Sequence, residues 1–250
     1  MLLEGPPPRV LAHRGLALDA PENTLAAFRA ALASGIRIIE TDVHVSADGF
    51  AMIAHDADLR RVAGVDRRVG DLTASELADV DLGGGHGVPM LAEALAEFPD
   101  ARFNIDLKVE DVVAPAVAAV GAAGASDRVL LTSFDEGRRV RAARALPGVA
   151  TAPGSLGVLR VLVATWLRSE RSIRRMLRGA VAVQVPESVR GVKIVTPRFV
   201  RRVQAAGAEV HVWTINDPAD MRRLLALGVD GIVTDRADLA MDVLRERSPG

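Results

Sequence analysis

The chain has 250 residues, 49% of them hydrophobic and 25% charged, with 22 glycines and 13 prolines, which excludes the disordered and fibrous classes. Its 31 basic residues against 32 acidic ones leave a formal net charge of -1; a nucleic-acid coat or a polybasic membrane anchor is not expected, because either needs a concentrated positive field. With no cysteine at all, disulfides, thiolate metal sites and cysteine nucleophiles drop out.

In chain order, the N-terminus (Met-Leu-Leu-Glu-Gly, then Pro6, Pro7 and Pro8) lacks the basic start and apolar run of a secretory signal. Residues 9–12 predict a strand, 24–34 a helix with Leu25, Phe28, Ala31 and Leu32 on one face, and Gly35 its stop. Strands follow at 38–45 and, after an Asp48-Gly49 turn signal, at 50–54. The polar stretch 56–89 holds a short helix near 74–80 and the glycine cluster 83–87. Then come helix 91–98, strand 102–109, helix 112–123, strand 129–133, helix 136–146 and a short strand at 149–151. The second half predicts a helix over 156–176, a strand at 180–185 and an extended run at 192–195. It ends with helix 199–206, strand 210–214, helix 218–227, strand 231–234 and helix 237–246. The apolar run 156–167 is too short to cross a bilayer and carries Arg160.

About eight strands, each followed by a helix, must lie parallel and be buried on both faces. In about 250 residues that pattern fits a closed (β/α)8 TIM barrel better than an open doubly wound sheet, and no glycine-rich nucleotide fingerprint follows the first strand. No linker divides the chain, so residues 1–250 are expected to be a single α/β domain, with 56–89 as a small insertion after the second strand region.

Barrel enzymes draw their catalytic groups from the C-terminal ends of strands. His13 and Arg14 end the first strand; Glu40 and Asp42 lie two apart in the second, hence on one face; His55 and Asp56 follow the next apolar run. Asp106 and Lys108 are again two apart, Gln184 ends the sixth strand, His211 and Trp213 lie in the seventh, and Asp235 follows the eighth. Three carboxylates facing one another repel unless a cation neutralises them, and oxygen donors suit Mg²⁺, Ca²⁺ or Mn²⁺ better than Zn²⁺. Such an ion beside Arg14 and Lys108 makes a positive floor for an anionic group such as a phosphate. His13 and His55 supply one group to take a proton and one to return it. Only two of the 31 basic residues are lysines, Lys108 and Lys193, so a lysine can mark a place that wants a compact point charge.

These residues resemble the glycerophosphodiester phosphodiesterase family. The resemblance is carried by Ala12-His13-Arg14-Gly15, Pro21-Glu22-Asn23-Thr24, Ile39-Glu40-Thr41-Asp42-Val43, His55-Asp56, Asn104-Ile105-Asp106-Leu107-Lys108, Trp213-Thr214-Ile215-Asn216 and residues 228–235, in order over roughly 9 to 240. It implies a metal-dependent hydrolase that cleaves glycerophosphodiesters, its small-molecule substrates, to glycerol 3-phosphate and an alcohol. His13 and His55 would be the acid–base pair, Glu40, Asp42 and Asp106 the metal ligands, and Arg14 and Lys108 the phosphate holders. It further implies that the substrate's own glycerol hydroxyl attacks phosphorus and leaves a cyclic phosphate for water to open. Many members of the family carry Glu where this chain has Asp106, one methylene shorter.

Trp213 is read as a substrate-side wall, His44 as at most a neighbour of the site, His86 as a loop residue and His211 as a polar core residue. Glu22 and Asn23 are read as helix caps. Two other functions stay open: a lipid phosphodiesterase on the same barrel, of the lysophospholipase D or phosphoinositide-specific phospholipase C type, and a phosphate-ester-binding barrel without turnover. The arginine-rich stretch 56–89 reads as a polar lid, whereas 156–163 is apolar enough to serve an acyl chain. A cytoplasmic protein is the expectation, with no nucleic-acid partner and no membrane span.

Overall fold

The computed structural model describes residues 2–247. Its strands are β1 (Arg9–His13), β2 (Ile38–Val45), β3 (Ala51–Ile53), β4 (Arg102–Leu107), β5 (Val129–Thr132), β6 (Ala150–Thr151), β7 (Ala182–Pro186), β8 (Ser188–Val189), β9 (Val192–Lys193), β10 (Glu209–Trp213) and β11 (Gly231–Thr234). Eight of them pair side by side in the order β6-β5-β4-β2-β1-β11-β10-β7, every pair parallel. A parallel bridge from Thr151 to Ala180 brings the two ends of this sheet together into the expected α/β barrel.

Alternation along each strand divides core from site. Outward residues such as Ile39, Phe103, Ile105 and Leu131 pack with Phe28, Leu91, Leu95 and Ala116 of the surrounding helices. Phe28 meets the Phe98 and Phe103 rings edge-on, with centroids 6.4 and 6.0 Å apart. On the other half, Val10, Val183, Val210, Val212 and Ile232 pack on Phe199, Val203, Met221 and Leu224. Fully burying an aliphatic or aromatic side chain of this kind is worth about 1.5–3 kcal/mol, so the ring of helices holds the barrel shut.

The alternate residues point inward and are largely polar. At the bottom, buried Arg9 donates to both Glu209 carboxylate oxygens and to the carbonyls of Leu3, Glu4 and Gly5. It thereby ties the N-terminal segment across the barrel floor. Above it, Leu11, Ile38 and Val233 form an apolar plug. His211 is buried, its Nε2 2.9 Å from Glu209 Oε2, which is the polar core position expected of it. Gly231 beside it has no room for a side chain: a Cβ there would lie 2.6 Å from the His211 ring.

Three local expectations differ. The 50–54 run becomes β3, antiparallel to β2 and outside the parallel ring. The 156–176 helix is two helices, Ser155–Trp166 and Glu170–Met176. Between them Arg168 takes a left-handed φ of 59° and the Ser169 amide donates back to the Ala164 carbonyl at 3.0 Å, a terminating turn that apolar periodicity does not reveal. The run at 192–195 supplies β9 of a short hairpin with β8, and Lys193 sits there, exposed, 3.9 Å from Glu187 and outside the cavity lining. Residues 56–89 leave the ring after β3 and fold on their own small core of Leu59, Val69, Leu72, Leu77 and Val88 against Met52.

Candidate active site

Strand register builds the site in two tiers. His13 of β1 pairs with Glu40 of β2, and Glu40 with Asn104 of β4; one tier higher, Asp42 pairs with Asp106, and Asp106 with Thr132 of β5. Inward side chains in register stand next to one another, so Glu40, Asp42 and Asp106 share one mouth, all buried. Lys108 Nζ bridges two of them, 2.7 Å from Asp42 Oδ1 and 2.7 Å from Asp106 Oδ2. Arg14 lies with its Nε 3.3 Å from Asp42 Oδ2 and its Nη1 2.9 Å from Glu22. Burial, with Asp42 and Asp106 close by, pushes the Glu40 carboxyl well above its ordinary value; burial likewise raises Asp106. Burial alone would lower the Lys108 ammonium, but Asp42 and Asp106 outweigh it and hold it above its usual value. The cluster is therefore short of positive charge, and Asp106 Oδ1 is buried without a hydrogen-bond partner.

Both histidines are held through Nδ1. His13 Nδ1 lies 2.6 Å from Asp235 Oδ1, and His55 Nδ1 lies 2.8 Å from Asp56 Oδ1. The His13 contact lowers the Asp235 carboxyl most, with Asn216 assisting; burial would raise Asp56, but His55 and Arg61 outweigh it and lower it. Carboxylates that stay ionised can only accept, so each Nδ1 donates and each Nε2 is left for chemistry. His13 Nε2 stands 3.9 Å from Glu40 Oε2. Asp235 is in turn fixed by Asn216, whose Nδ2 donates to Asp235 Oδ2 at 2.7 Å and whose Oδ1 accepts from the Asp235 amide at 2.9 Å.

These side chains line one cavity of about 590 Å³. Its floor is His13, Arg14, Glu40, Asp42, His55, Asn104, Asp106, Lys108 and Gln184; its opposite wall is apolar, from Phe134, Val158, Leu159, Leu162, Val189, Ile194 and Trp213. All seven residues singled out for catalysis, phosphate or metal meet at this cavity. Trp213 stands on its wall, edge-on to Phe134 with centroids 6.0 Å apart, and Lys108 Nζ sits 5.8 Å from the Phe134 ring centre.

The arginine-rich stretch does not close this mouth as a lid: the cavity lining includes none of residues 56–89. Two of its arginines are spent locally instead, Arg60 on Asp66 and Arg61 on Asp56 and Glu22. Neither Glu22 nor Asn23 caps the first helix; Thr24 does, accepting from the Ala27 amide. Asn23, at a left-handed φ of 57°, donates to Asp42 Oδ2 at 3.2 Å while accepting from Thr41, so it aims the carboxylate. His44 Nε2 lies 3.2 Å from the His55 carbonyl and props the loop that carries His55. His86 remains in the excursion, outside the lining. Sequence reasoning missed Phe134, Asn216 and the pairing role of Asp235; a polar residue one step past a barrel strand, as at Asp235, was the signal available.

The model of the glycerophosphoryl diester phosphodiesterase family matches residues 13–239. The chain belongs to that family. A Mycobacterium tuberculosis protein named probable glycerophosphodiester phosphodiesterase 2 is 41% identical over 239 residues, covering 95% of this chain and 90% of its own length. The structure of an Oleispira antarctica phosphodiesterase, in complex with the product sn-glycerol-3-phosphate, superposes with a TM-score of 0.77 at 26% identity, covering 96% of this chain and 97% of that one. Human lysophospholipase D is 25% identical over 273 residues, covering 95% of this chain and 86% of that protein. As a family member the chain is an enzyme, a glycerophosphodiester phosphodiesterase.

Proposed function

We propose that this phosphodiesterase hydrolyses glycerophosphodiesters to glycerol 3-phosphate and an alcohol, using His13 and His55 as the acid–base pair and a divalent cation, Ca²⁺ or Mg²⁺ with Mn²⁺ as a third choice. The observation that carries the reading is the pair of imidazoles, each oriented through Nδ1 by its own carboxylate, over one cluster of three acids and two cations. The complex of the Oleispira relative with sn-glycerol-3-phosphate supports the product.

The donor set suits a hard cation: only oxygens, one of them the unpartnered Asp106 Oδ1. Among the described residues no three acids or histidines already converge as a cage, and Lys108 stands between Asp42 and Asp106. Glu40, Asp42 and Asp106 would hold the ion once that ammonium turns to a phosphate oxygen. When bound, the ion would polarise the phosphoryl oxygen and offset its growing charge. Arg14 and Lys108 hold the phosphate from the same floor. One histidine takes the proton of the glycerol hydroxyl as its oxygen bonds to phosphorus; the other protonates the departing alcohol oxygen. The same pair, in reversed roles, delivers water to the cyclic phosphate.

The apolar wall of the cavity favours a second reading, in which the glycerol moiety of the substrate carries an acyl chain, as in the lysophospholipids that the name of the human relative describes for that protein. Both are tested by incubating purified protein with glycerophosphocholine, glycerophosphoethanolamine and lysophosphatidylcholine, with chelator and after each metal is restored. Glycerol 3-phosphate from the first two, abolished by chelator and recovered with metal, is expected. Chelator-insensitive turnover would refute the metal, and choline release from the lysolipid alone would favour the second reading.

A further inference from the structure

We propose that the face built from the helices Ser155–Trp166 and Glu170–Met176 and the β8–β9 hairpin docks this enzyme on the surface of an anionic lipid bilayer. The helix Ser155–Trp166 carries one charge in twelve residues, and its inward side already buries Val161, Ala164 and Thr165. A surface helix of a soluble domain normally turns polar residues outward. Here the outward side presents Leu156, Leu159, Val163 and Trp166, at spacings of three and four residues, followed by Leu167. Trp166 is 75% exposed and Leu167 61%. The hairpin adds Val189 and Val192, the latter 65% exposed. A contiguous apolar patch of this kind marks an interaction surface, and a tryptophan at its edge suits a membrane interface.

Charge identifies the partner. The overall -1 conceals a segregation: residues 155–202 contain eleven basic and two acidic residues. Exposed Arg168, Arg171, Arg174, Arg175, Arg178 and Arg190 beside the apolar patch make no ion pair among the described residues, whereas most arginines outside 155–202, Arg141, Arg222 and Arg245 among them, are paired with acids and the unpaired ones, such as Arg37, Arg67, Arg68 and Arg144, are scattered along the chain. An apolar face rimmed by unpaired arginines is complementary to an anionic headgroup layer. It is poorly complementary to a second copy, because a two-fold contact would set these arginines against one another. No helix of the described residues is long and apolar enough to cross a membrane, so the contact is superficial. Leu159 and Val189 belong both to the patch and to the cavity lining; docking therefore sets the mouth of the active site against the lipid surface.

The test uses the whole chain and vesicles of phosphatidylcholine with or without phosphatidylglycerol. The chain has two tryptophans, so Trp213→Phe leaves Trp166 as the sole reporter. Expected are cosedimentation with the phosphatidylglycerol vesicles, relieved by salt, and a blue shift of Trp166 emission on binding. The triple change Arg171→Glu, Arg174→Glu, Arg175→Glu should weaken binding by about tenfold or more, and Val163→Ser with Leu167→Ser should reduce the blue shift. Both sets lie outside the cavity lining, so turnover of a soluble glycerophosphodiester should be unchanged, which separates failure of this proposal from failure of the phosphodiester reading. No binding to anionic vesicles at low salt, binding indifferent to the arginine changes, or a lipid-free dimer that buries Trp166 would overturn it.

Discussion

Asp235→Ala removes a carboxylate that touches no substrate yet, by its 2.6 Å contact, determines how His13 presents Nε2. A hydrogen bond to a charged group contributes roughly 1.5–3 kcal/mol; the Asp235 side chain is 51% exposed, so solvent screening argues for the lower end. About 1.4 kcal/mol is tenfold in rate, and kcat should therefore fall by about 10- to 30-fold. That is less than the ~10²–10⁴ expected of His13→Ala or His55→Ala, which delete the proton carrier itself. Asn216→Ala should give a smaller loss in the same direction, because it only loosens Asp235. The assay is steady-state release of glycerol 3-phosphate from glycerophosphocholine, with KM read alongside. KM should stay near its original value, since the proposed phosphate holders, Arg14 and Lys108, are untouched, and thermal stability should hardly change. If Asp235→Ala turns over within about twofold of the parent, or loses activity only through KM, the reasoning that His13 acts through a carboxylate-fixed imidazole is wrong.

A substrate lacking the glycerol 2-hydroxyl should bind yet react at least ~10²-fold more slowly, a barrier difference of roughly 2.7 kcal/mol. Equal rates at saturation would replace intramolecular attack by direct attack of water while leaving the enzyme class intact. Glu209→Gln tests the barrel floor: burial would raise this carboxyl, but His211 and Arg9 outweigh it and hold it below its ordinary value. A depressed folded value stabilises above the unfolded value and is lost as pH falls through the folded one. The parent's melting temperature should thus fall more steeply than the variant's below pH 4.5, and at neutral pH the variant should be weaker by about 2–3 kcal/mol, since Arg9 keeps its carbonyl partners. Parallel melting curves across that range would show that the pair contributes nothing.

The parallel barrel was legible in the sequence because its determinants are local. Runs such as 129–131 are apolar on both faces only where helices cover a sheet, and the stops at Gly35, Gly207 and Gly228 mark the crossovers. The same period of two that buries Ile39, Phe103 and Ile105 sends Glu40, Asp42, Asp106 and Lys108 to the opposite side, so it could be read from spacing alone that these four share one mouth. What stayed hidden is whatever depends on residues far apart in the chain. Asp235 meets His13 across 222 positions because the sheet pairs β1 with β11, from opposite ends of the chain, and Phe134 meets Trp213 because the closed ring curves β5 towards β10. The purpose of 56–89 was misjudged for the same reason: its charges announce a solvated stretch, but where it packs follows from the apolar side chains of Leu59, Leu72 and Leu77 finding Met52. Net charge, a sum over the chain, could not show that the arginines of 155–202 collect beside an uncovered apolar helix; only the packing of that helix decided which of its sides was left facing out.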